Sequence, residues 1–435
     1  MATQVLSRIF RIVTYLVGGA VLGFRATWQK QKIGDRFDSS LAFATVVAHL
    51  SYHLGGIFPK LAQILSTRYD LMSEDAIALL SRSCSQLRLA PALHHIDARG
   101  LELGGEIASL GAGAIAETFL VKTPEGINFV VKARRPGIDV VLRTDLAVIK
   151  TVANLANLLR ICRSLNIEDN VRVLGELFLN QVDLEAERRN LRNLQANLGK
   201  WVRVPSVIEG GGSERIHMEY LPRGCEITAH DAVTRRHLAV SLLHLVYRMI
   251  FIDGFVHCDL HPGNIYVGED GGLVIVDAGF CGSIDDAVRL DFREFFLAIG
   301  LKRAKILADI IIRYSTGAPD PQGATISIRN DCVVLLNKYS RLPSRAFRIV
   351  NFIRDLHQIY QKHRLTMTSE FFTIIYSLLV VEGTVTKLDG ELDFQALAVQ
   401  YMIDNREEIY SLRKPQSAQL VAASVPSSHT VRIGV

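Results

Sequence analysis

Apolar residues recur at helical spacing through the first hundred positions of the chain. A first helix is predicted after Asp38, and its apolar face ends where Gly55 and Gly56 interrupt the pattern. Pro59 suits the first turn of a second helix, and Ser73 is a good N-cap for a third. The segment therefore predicts several short, packed helices.

The second of these helices has a polar facet. Lys60, Gln63 and Thr67 recur at steps of three and four, so they share one side, while Leu61 and Leu65 face the other. On the pattern alone, this facet is interpreted as a solvated surface.

After Glu102 the spacing becomes that of strands. Two strand-like segments, 118–121 and 127–131, flank a Pro-Glu-Gly turn, and Lys132 ends the second. A loop of small residues precedes them: Gly111, Ala112, Gly113 and Ala114. In a kinase-like site such a loop packs over the phosphates of a nucleotide, and the lysine bridges the α- and β-phosphates. A close helix–sheet contact would explain the small residues equally well.

Residues 169–198 are predicted to form one long helix with Asp183 and Glu187 on the same facet. Like charges at this spacing are mildly destabilising unless a cation faces them, and Lys132 is the natural partner. The alternative is a solvated stripe that Arg188 and Arg189 neutralise. A strand over 215–218 and a short connector follow. The connector is the expected hinge between two lobes, and its backbone atoms at Glu219, Tyr220 and Leu221 would bind adenine.

The residues that carry the chemistry lie between two apolar runs. Asp259 precedes Asn264 by five residues, and Asp277 follows that Asn by thirteen. This order reproduces the catalytic loop and the metal-binding Asp of protein kinases. One carboxylate orients or deprotonates the attacking hydroxyl, while the amide oxygen and the second carboxylate hold Mg²⁺. The alternative is a polar turn between buried strands. This alternative is much less favourable, because Asp259, Asn264 and Asp277 occur in the order that the kinase pattern requires.

Composition adds three constraints. With 49% hydrophobic and 21% charged residues, the 435-residue chain is not a largely disordered protein. Its six cysteines show no Cys-x-x-Cys pair, which indicates free thiols in a reducing compartment. Residues 1–36 carry a charge of +5, equal to the net charge of the whole chain, so the body has no basic excess for nucleic acid.

The basic segment surrounds thirteen uncharged residues, 12–24. A helix of that length rises roughly 20 Å, short of the roughly 30 Å hydrocarbon core of a bilayer. We expect it to rest on or dip into an anionic membrane face, with the basic residues at the headgroups. A helix buried in the body is the alternative.

From about residue 58 to residue 388 the chain resembles the UbiB family of atypical kinases, also called AarF or ADCK proteins. The most specific piece runs from Lys60 to Arg68 with Asp70 and Leu71, which is similar to the family's Lys-x-Gly-Gln helix and its Leu-Ser-Thr-Arg continuation. The resemblance implies that this helix folds over the nucleotide pocket, so that Lys60 and Gln63 face the active site.

The resemblance also implies roles for individual residues: Lys132 as the phosphate-bridging lysine, Glu187 as its helix partner, Asp259 as the catalytic aspartate, and Asn264 and Asp277 as metal ligands. It implies ATP or ADP with Mg²⁺, ATPase or small-molecule kinase activity, and support of ubiquinone or related isoprenoid-lipid biosynthesis.

The chain departs from the family pattern at four places. Ala62 replaces a glycine, the loop at Gly111 is closer to an ordinary glycine-rich loop, and the turn after Asp277 lacks the usual Phe. Gln181 stands where the family has Glu, so we expect Asp183 to pair with Lys60, beside a Lys132–Glu187 pair.

We therefore expect an α+β chain with a two-lobed protein-kinase-like fold and an N-terminal helical extension packed over the nucleotide cleft. The expected units are a membrane-proximal segment 1–36, the helical extension 37–100, an N-lobe 101–222, a helical C-lobe 223–412 and a loose tail 413–435. Expected partners are membrane lipids or isoprenoid-quinone intermediates and quinone-biosynthesis proteins, at the cytoplasmic or mitochondrial-matrix face of a membrane. The alternatives are a small-molecule kinase similar to aminoglycoside and choline kinases, and a nucleotide-binding pseudokinase that acts as an assembly partner.

Overall fold

The structure is a computed structural model that describes residues 2–32, 38–66, 72–85, 105–113, 115–158, 182–317, 321–340 and 347–411. Several positions in the predictions lie outside these ranges: Thr67, Arg68, Asp70, Leu71, Ala114, Gln181 and the tail 413–435.

Four helices precede the first strand: α1 (Ala2–Lys32), α2 (Ser39–Leu54), α3 (Phe58–Leu65) and α4 (Glu74–Ser85). The predicted start of α2 is confirmed, because the Asp38 carboxylate accepts the N–H of Leu41 at 3.0 Å. Ser73 likewise accepts the N–H of Ala76 at 3.3 Å and donates its hydroxyl to Asp38. One carboxylate therefore fixes the starts of two helices.

Helix α1 is much longer than the uncharged stretch from which it was predicted. Its 27-residue window Thr3–Gln29 is long and apolar enough to cross a membrane, so the expectation of a helix too short to span is wrong. The helix continues through Arg11 and Arg25, since long basic side chains are good helix formers and reach solvent from its exposed side.

Among the described residues, only one side of α1 meets other parts of the chain. Ile12 is buried, and an added Cβ at Gly23 would lie 2.6 Å from the carbonyl oxygen of Ala42, so this glycine permits close approach to α2. The opposite side leaves Phe10 73% exposed and Phe24 52% exposed. The helix thus presents an apolar face that no described residue covers.

A buried ion pair ties α1 to α5 (Ile138–Leu158). The Arg8 guanidinium donates to both carboxylate oxygens of Asp145, at 2.8 and 2.7 Å, and to the Leu54 carbonyl at 2.9 Å. Asp145 also accepts the N–H of Ile57, just before α3, at 3.3 Å. Burial raises the pKa of Asp145, while Arg8 and this N–H act in the opposite direction.

Five antiparallel strands form one sheet in the order β1-β2-β3-β5-β4. They are β1 (Glu106–Ala112), β2 (Ala116–Lys122), β3 (Asn128–Arg134), β4 (Val207–Ile208) and β5 (Arg215–Glu219). The predicted hairpin is confirmed as β2 and β3, and Lys132 on β3 lies opposite Thr118 and Ile216. Strand β1 was not predicted, because its exposed, glycine-containing sequence lacks the alternation of a half-buried strand.

The chain then becomes mainly helical, with a few short strands. Helix α6 (Leu184–Leu198) packs beside the sheet. The later helices are α7 (Ala232–Arg248), a π turn (Met249–Asp253), α8 (Asp286–Gly300), α9 (Ala304–Arg313), α10 (Pro321–Ser340), α11 (Ile349–Lys362), α12 (Ser369–Leu388), α13 (Phe394–Asp404) and α14 (Arg406–Ser411). The short strands are β6 (Cys225–Glu226), β7 (Phe255–His257), β8 (Ile265–Val267), β9 (Leu273–Ile275), β10 (Cys281–Ser283), β11 (Ser315–Thr316) and β12 (Thr366–Met367).

Helix α12 is the second described helix that is long and apolar enough to cross a membrane, but 72% of its window is buried inside the protein. Phe371 near its start contacts Phe292 and Phe295 of α8 in an aromatic cluster. Helix α12 is therefore a core helix of the protein. The mixture of helix and sheet expected for the fold class is also confirmed.

Asp145→Asn tests the buried ion pair that attaches α1. The substitution leaves the Arg8 guanidinium buried without its counter-ion, and we expect the free energy of unfolding to fall by about 3–5 kcal/mol. The measurement is denaturant unfolding of the full chain.

The matched control is Glu209→Gln, because Glu209 pairs with Arg192 on the surface with its side chain 87% exposed. Its unfolding curve should be nearly unchanged. If the two variants unfold alike, the contribution assigned to the buried pair is wrong.

Candidate active site

The predicted catalytic loop, which contains Asp259 and Asn264, is held in place by two strand pairs and one helix. Strand β7 leads into it and pairs with β10, while β8 follows it and pairs with β9. From α12 the buried hydroxyl of Thr384 donates to the Leu260 carbonyl at 2.9 Å. The loop backbone is therefore held between a sheet pair and a packed helix.

His257 is fully buried at the start of this loop. Its Nδ1 accepts the N–H of Asp259 at 3.1 Å, so Nε2 carries the proton and donates to the Asp277 carbonyl at 2.5 Å. Burial lowers the pKa of His257 and favours this neutral form. The histidine thus links the backbones of the two predicted functional aspartates and has no free nitrogen for proton transfer.

Asp259 is paired with the helix that carries the family signature. The Lys60 ammonium makes a short ion pair with Asp259 Oδ2, and Gln63 Nε2 lies 3.4 Å from Oδ1. Lys60 also lies 5.7 Å from the centre of the Phe280 ring. Lys60 and Gln63 therefore face Asp259, and the interpretation of their facet as a solvated surface is wrong.

The expected Lys60–Asp183 contact is also wrong. Asp183 is not inside a helix: its carboxylate accepts the N–H groups of Glu185 and Ala186, at 2.9 and 3.1 Å, as the N-cap of α6. Its second oxygen lies 3.6 Å from Arg189. An aspartate at an N-cap binds the backbone beside it and so is not available to Lys60.

The Lys132 ammonium lies between two carboxylates. It donates to Glu187 Oε1 at 2.6 Å and to Asp277 Oδ2 at 2.8 Å, so the expected Lys132–Glu187 contact is present. Burial alone would lower the pKa of Lys132, but the two negative charges outweigh it and the pKa is raised. Burial raises the pKa of Glu187, whose side chain is 1% exposed. Asp277 has a lowered pKa because Lys132 outweighs its burial.

Helix α6 positions the turn after Asp277. The N–H of Ala278 points at Glu187 at 3.5 Å, and the Asn190 amide donates to the Ala278 carbonyl at 2.9 Å. Gly279 donates its N–H to Asp277 Oδ1 at 2.8 Å. Ala278 occupies the place of the usual Phe and is fully buried, while the nearby Phe280 is also buried.

Asn264 and Asp277 together fit a magnesium ion held on phosphates. The Asn264 amide nitrogen donates to the Asp259 carbonyl at 3.0 Å, so its amide oxygen is the acceptor left for a ligand. The Asp277 side chain is 36% exposed. Mg²⁺ is usually bound by one or two carboxylates plus phosphate oxygens and water. Asn264 and Asp277 would thus be the two protein donors. The described residues contain no cluster of three or more His, Cys, Asp or Glu suited to a metal.

The small-residue loop is a tight turn between β1 and β2. Gly111 and Ala112 end β1, opposite Thr118 and Glu117, and the Gly113 N–H donates to the Ala116 carbonyl at 2.9 Å. A Cβ added at Gly111 would meet no atom within 4 Å. Packing inside the protein therefore does not demand this glycine, which argues against the helix–sheet explanation.

A buried ion pair anchors the same turn. Arg135 donates to the Gly113 carbonyl at 2.9 Å and pairs with Glu117 at 2.6 Å, and both charged side chains are nearly inaccessible. The turn is thus held on its sheet side.

A cavity of about 1190 Å³ brings several of these residues together in its wall. Of the predicted site residues, it is lined by Lys60, Gln63, Gly113, Lys132, Asp259, Asn264 and Asp277. Glu187 lies behind Lys132, and the predicted hinge residues do not line the cavity. The Glu219 carboxylate accepts the Ser206 N–H at 3.1 Å, and the buried Leu221 gives its carbonyl to the Tyr266 hydroxyl at 2.7 Å.

Three positioning residues escaped the sequence analysis: Asn190, Arg135 and Thr384. Each acts on a backbone carbonyl far away in the sequence, and a single sequence carries no signal for such contacts. The spacing of three between Glu187 and Asn190 on α6 was the one available hint, because it places both on one face.

Comparison with known proteins finds a kinase-like family over part of the chain. Residues 106–310 match the family model described as the ABC1 atypical kinase-like domain. The chloroplastic protein "Activity of bc1 complex kinase 7" of Arabidopsis thaliana is 27% identical over 419 residues, which cover 90% of this chain and 57% of that protein. The "probable protein kinase UbiB" of Xylella fastidiosa is 25% identical, over 79% of this chain and 66% of its own length.

Among solved structures, the complex of Rv3197 with erythromycin from Mycobacterium tuberculosis is 16% identical, with a TM-score of 0.46. That match covers 68% of this chain and 76% of the other. The resemblance predicted from the sequence is confirmed by the family match and the two relatives, and this chain carries an ABC1 atypical kinase-like domain related to the kinases named UbiB and ABC1.

Proposed function

We propose that the protein is an atypical kinase or ATPase of the UbiB type that binds Mg-ATP or Mg-ADP and supports ubiquinone or related isoprenoid-lipid biosynthesis at a membrane. The nucleotide part rests on one observation: Lys132 is held between Glu187 and Asp277 in the wall of a cavity shared with Asp259 and Asn264. The pathway part rests on the names of the UbiB relatives.

In this proposal the five-stranded sheet is the upper lobe of a two-lobed kinase-like fold and the later helices form the lower lobe. Helix α3 belongs to an extension over the cleft, as the Lys60–Asp259 pair supports. With α3 in that place, a small molecule or a lipid fits the cleft better than a peptide does.

The residues of the site divide the chemistry among them. Lys132 binds the α- and β-phosphates, and Glu187 keeps its ammonium charged and aimed. Asn264 and Asp277 would hold Mg²⁺, which neutralises charge on the phosphates. Asp259 takes the proton of the attacking hydroxyl or water. A new O–P bond forms to the γ-phosphorus, the bond to the bridging oxygen breaks, and ADP leaves with that electron pair.

The contact between Lys60 and Asp259 favours a second candidate function. The Lys60 ammonium occupies one oxygen of the Asp259 carboxylate, and Gln63 lies beside the other, so neither oxygen is open to an attacking hydroxyl. A protein that keeps this contact would bind nucleotide without turning it over, as a pseudokinase acting as an assembly partner. Turnover requires Lys60 to leave Asp259.

For the membrane we propose that the exposed side of α1 enters one leaflet or spans the bilayer, at the cytoplasmic or mitochondrial-matrix face. Phe10, Val17 and Phe24 lie on this side, and Arg11 and Arg25 are placed to meet anionic headgroups.

Lys132→Ala should weaken Mg-ATP binding roughly 10- to 100-fold, because a charge-assisted hydrogen bond contributes about 1.5–3 kcal/mol. Binding is measured by calorimetric titration, after unfolding curves have shown that the variant is folded despite the unpaired Glu187. Lys122→Ala removes an exposed lysine from the neighbouring strand and serves as the control. Equal affinities in all three proteins would contradict the role of Lys132.

Asp277→Asn and Asp259→Asn should separate metal binding from turnover. We expect Asp277→Asn to lower Mg²⁺-dependent nucleotide affinity about tenfold or more. Asp259→Asn should bind nucleotide as the wild type does and release no ADP. Titrations with and without Mg²⁺ and an ADP-release assay give the two readouts, with Asp270→Asn in a surface turn as the control. An equal loss of nucleotide affinity in both variants would show that the roles are assigned wrongly.

The combined substitution of Phe10, Val17 and Phe24 by Ser should remove most binding to anionic liposomes in a co-sedimentation assay, because burial of apolar area drives insertion. Point changes are preferable to deletion, since deletion would also remove Arg8 from its buried pair. The control is Val333→Ser with Val334→Ser on the exposed side of α10. Unchanged sedimentation of the α1 variant would place the membrane contact elsewhere.

A further inference from the structure

The cavity extends well beyond the residues that a nucleotide needs. Its volume of about 1190 Å³ exceeds the roughly 300–1,000 Å³ typical of a site for one small ligand. The added space lies beside α11 and α12, where the polar or small residues of the cavity wall include Arg348, Asn351, Arg354, Glu382, Gly383, Thr386 and Lys387.

This part of the cavity is continuous with the catalytic loop. Thr384 of α12 donates to the carbonyl of Leu260, next to Asp259, so the helix lies directly behind the loop. His261 Nε2 lies 3.8 Å from Asp259 Oδ2, and the positive charge of Lys387 acts on the same histidine. A molecule bound against α12 would therefore have its near end at Asp259.

Gly383 makes room on the wall of this space. It lies in the interior of α12, where glycine is less favourable than alanine by about 1 kcal/mol. An added Cβ would meet no atom within 4 Å, so packing inside the protein does not require a glycine. Thr386 and Lys387 follow at steps of three and four and share this face of the helix. The open backbone suits close approach of a bound molecule.

The charge of the space is positive. Arg348, Arg354 and Lys387 line it, and the Nη1 atom of Arg348 has no hydrogen-bond partner among the described residues. The acidic residue Glu382 also lines this wall, but it is buried and its two oxygens accept the N–H groups of Ile349 and Val350, at 2.7 and 2.8 Å. Its carboxylate is thus engaged by the start of α11, and it offers no oxygen to a cation ligand.

We propose that this space is the acceptor subsite and that it takes a phosphate ester with a free hydroxyl. Two guanidinium groups and one ammonium suit a phosphate, because arginine binds its oxygens in pairs. Lys387, Arg348 and Arg354 bind the phosphate, and the hydroxyl of the same molecule lies at Asp259. This inference rests on the proposed function and names the substrate class of that site.

The first experiment measures binding of glycerol 3-phosphate to the full chain by calorimetry, with a non-hydrolysable Mg-ATP analogue already bound. Glycerol, which has the hydroxyls but no phosphate, is the matched probe. We expect glycerol 3-phosphate to bind and glycerol not to bind. Binding of glycerol with equal affinity, or displacement of the nucleotide by glycerol 3-phosphate, would overturn a separate phosphate subsite.

Variants then locate the site. Lys387→Gln should weaken binding of glycerol 3-phosphate about tenfold or more, whereas Lys200→Gln, at an exposed turn, should not. Gly383→Leu should fill the space and abolish binding without lowering the unfolding midpoint, because leucine is the better helix former. Gly383→Ala should bind nearly as the wild type does. Wild-type binding by both Lys387→Gln and Gly383→Leu would refute the location.

The source of the phosphate is tested by ADP release. Vesicles of phosphatidylglycerol, which has a phosphate and free hydroxyls, are compared with phosphatidylcholine vesicles and with soluble glycerol 3-phosphate. If phosphatidylglycerol vesicles stimulate ADP release and Lys387→Gln removes the stimulation, the subsite binds a lipid headgroup. If only glycerol 3-phosphate gives this result, the subsite binds a soluble ester. Stimulation by neither one refutes the acceptor role.

The same titrations separate this inference from the proposed function. If the wild type binds glycerol 3-phosphate but no Mg-ATP, the phosphate subsite stands and the phosphotransferase does not. If Mg-ATP binds with the expected dependence on Lys132 and glycerol 3-phosphate does not bind, the reverse holds.

Discussion

The buried carboxylate of Glu187 places the strongest constraint on this structure. Its side chain is 1% exposed, and an unpaired charge in that position would cost several kcal/mol. Lys132 on strand β3 supplies the cation and is shared with Asp277, so the sheet, helix α6 and the turn at 277–279 meet at one ammonium group. The same arrangement leaves Asp277 partly exposed toward the cavity, where a ligand can compete for both groups.

The predicted functional groups around Lys132 differ in whether they are available to a ligand. The groups that would hold phosphates and metal are already aimed by α6 and by the anchored turn between β1 and β2. The group that would move the proton is engaged elsewhere, because Lys60 and Gln63 both contact Asp259. In the proposed function, nucleotide binding and turnover are therefore separable, because the first would depend on α6 and the second on α3.

The sequence predicts the local parts of the site well and its long-range pairs less well. Alternation and turn residues were sufficient for β2, β3 and the lysine at the end of the hairpin, because these features depend on neighbours along the chain. The pairing of Lys60 was mispredicted, since a helix boundary decides it: Asp183 caps α6 and so binds its own backbone. The predicted hinge residues do not line the cavity, and two of their backbone groups already have partners: the Glu219 N–H donates to the Ser206 carbonyl, and the Leu221 carbonyl accepts from the Tyr266 hydroxyl.

The sequence pattern also failed to predict the full length of α1. A window of uncharged residues marks its apolar centre, but basic residues at its flanks do not end a helix, and its packing depends on a glycine that only the second helix explains. Strand β1 escaped because it is exposed and borders a loop of small residues. In each case the deciding contact lies outside the segment that the pattern describes.

Asp145 has a consequence for any attempt to shorten the protein. One carboxylate holds Arg8 of the apolar first helix and the N–H of Ile57, which begins the segment leading into the Lys60 helix. Trimming the N-terminus to obtain a more soluble enzyme would leave Asp145 without its counter-ion and loosen the support beneath Lys60. A shortened protein would then differ from the full chain at Asp259 itself, and rates measured on it would describe another active site.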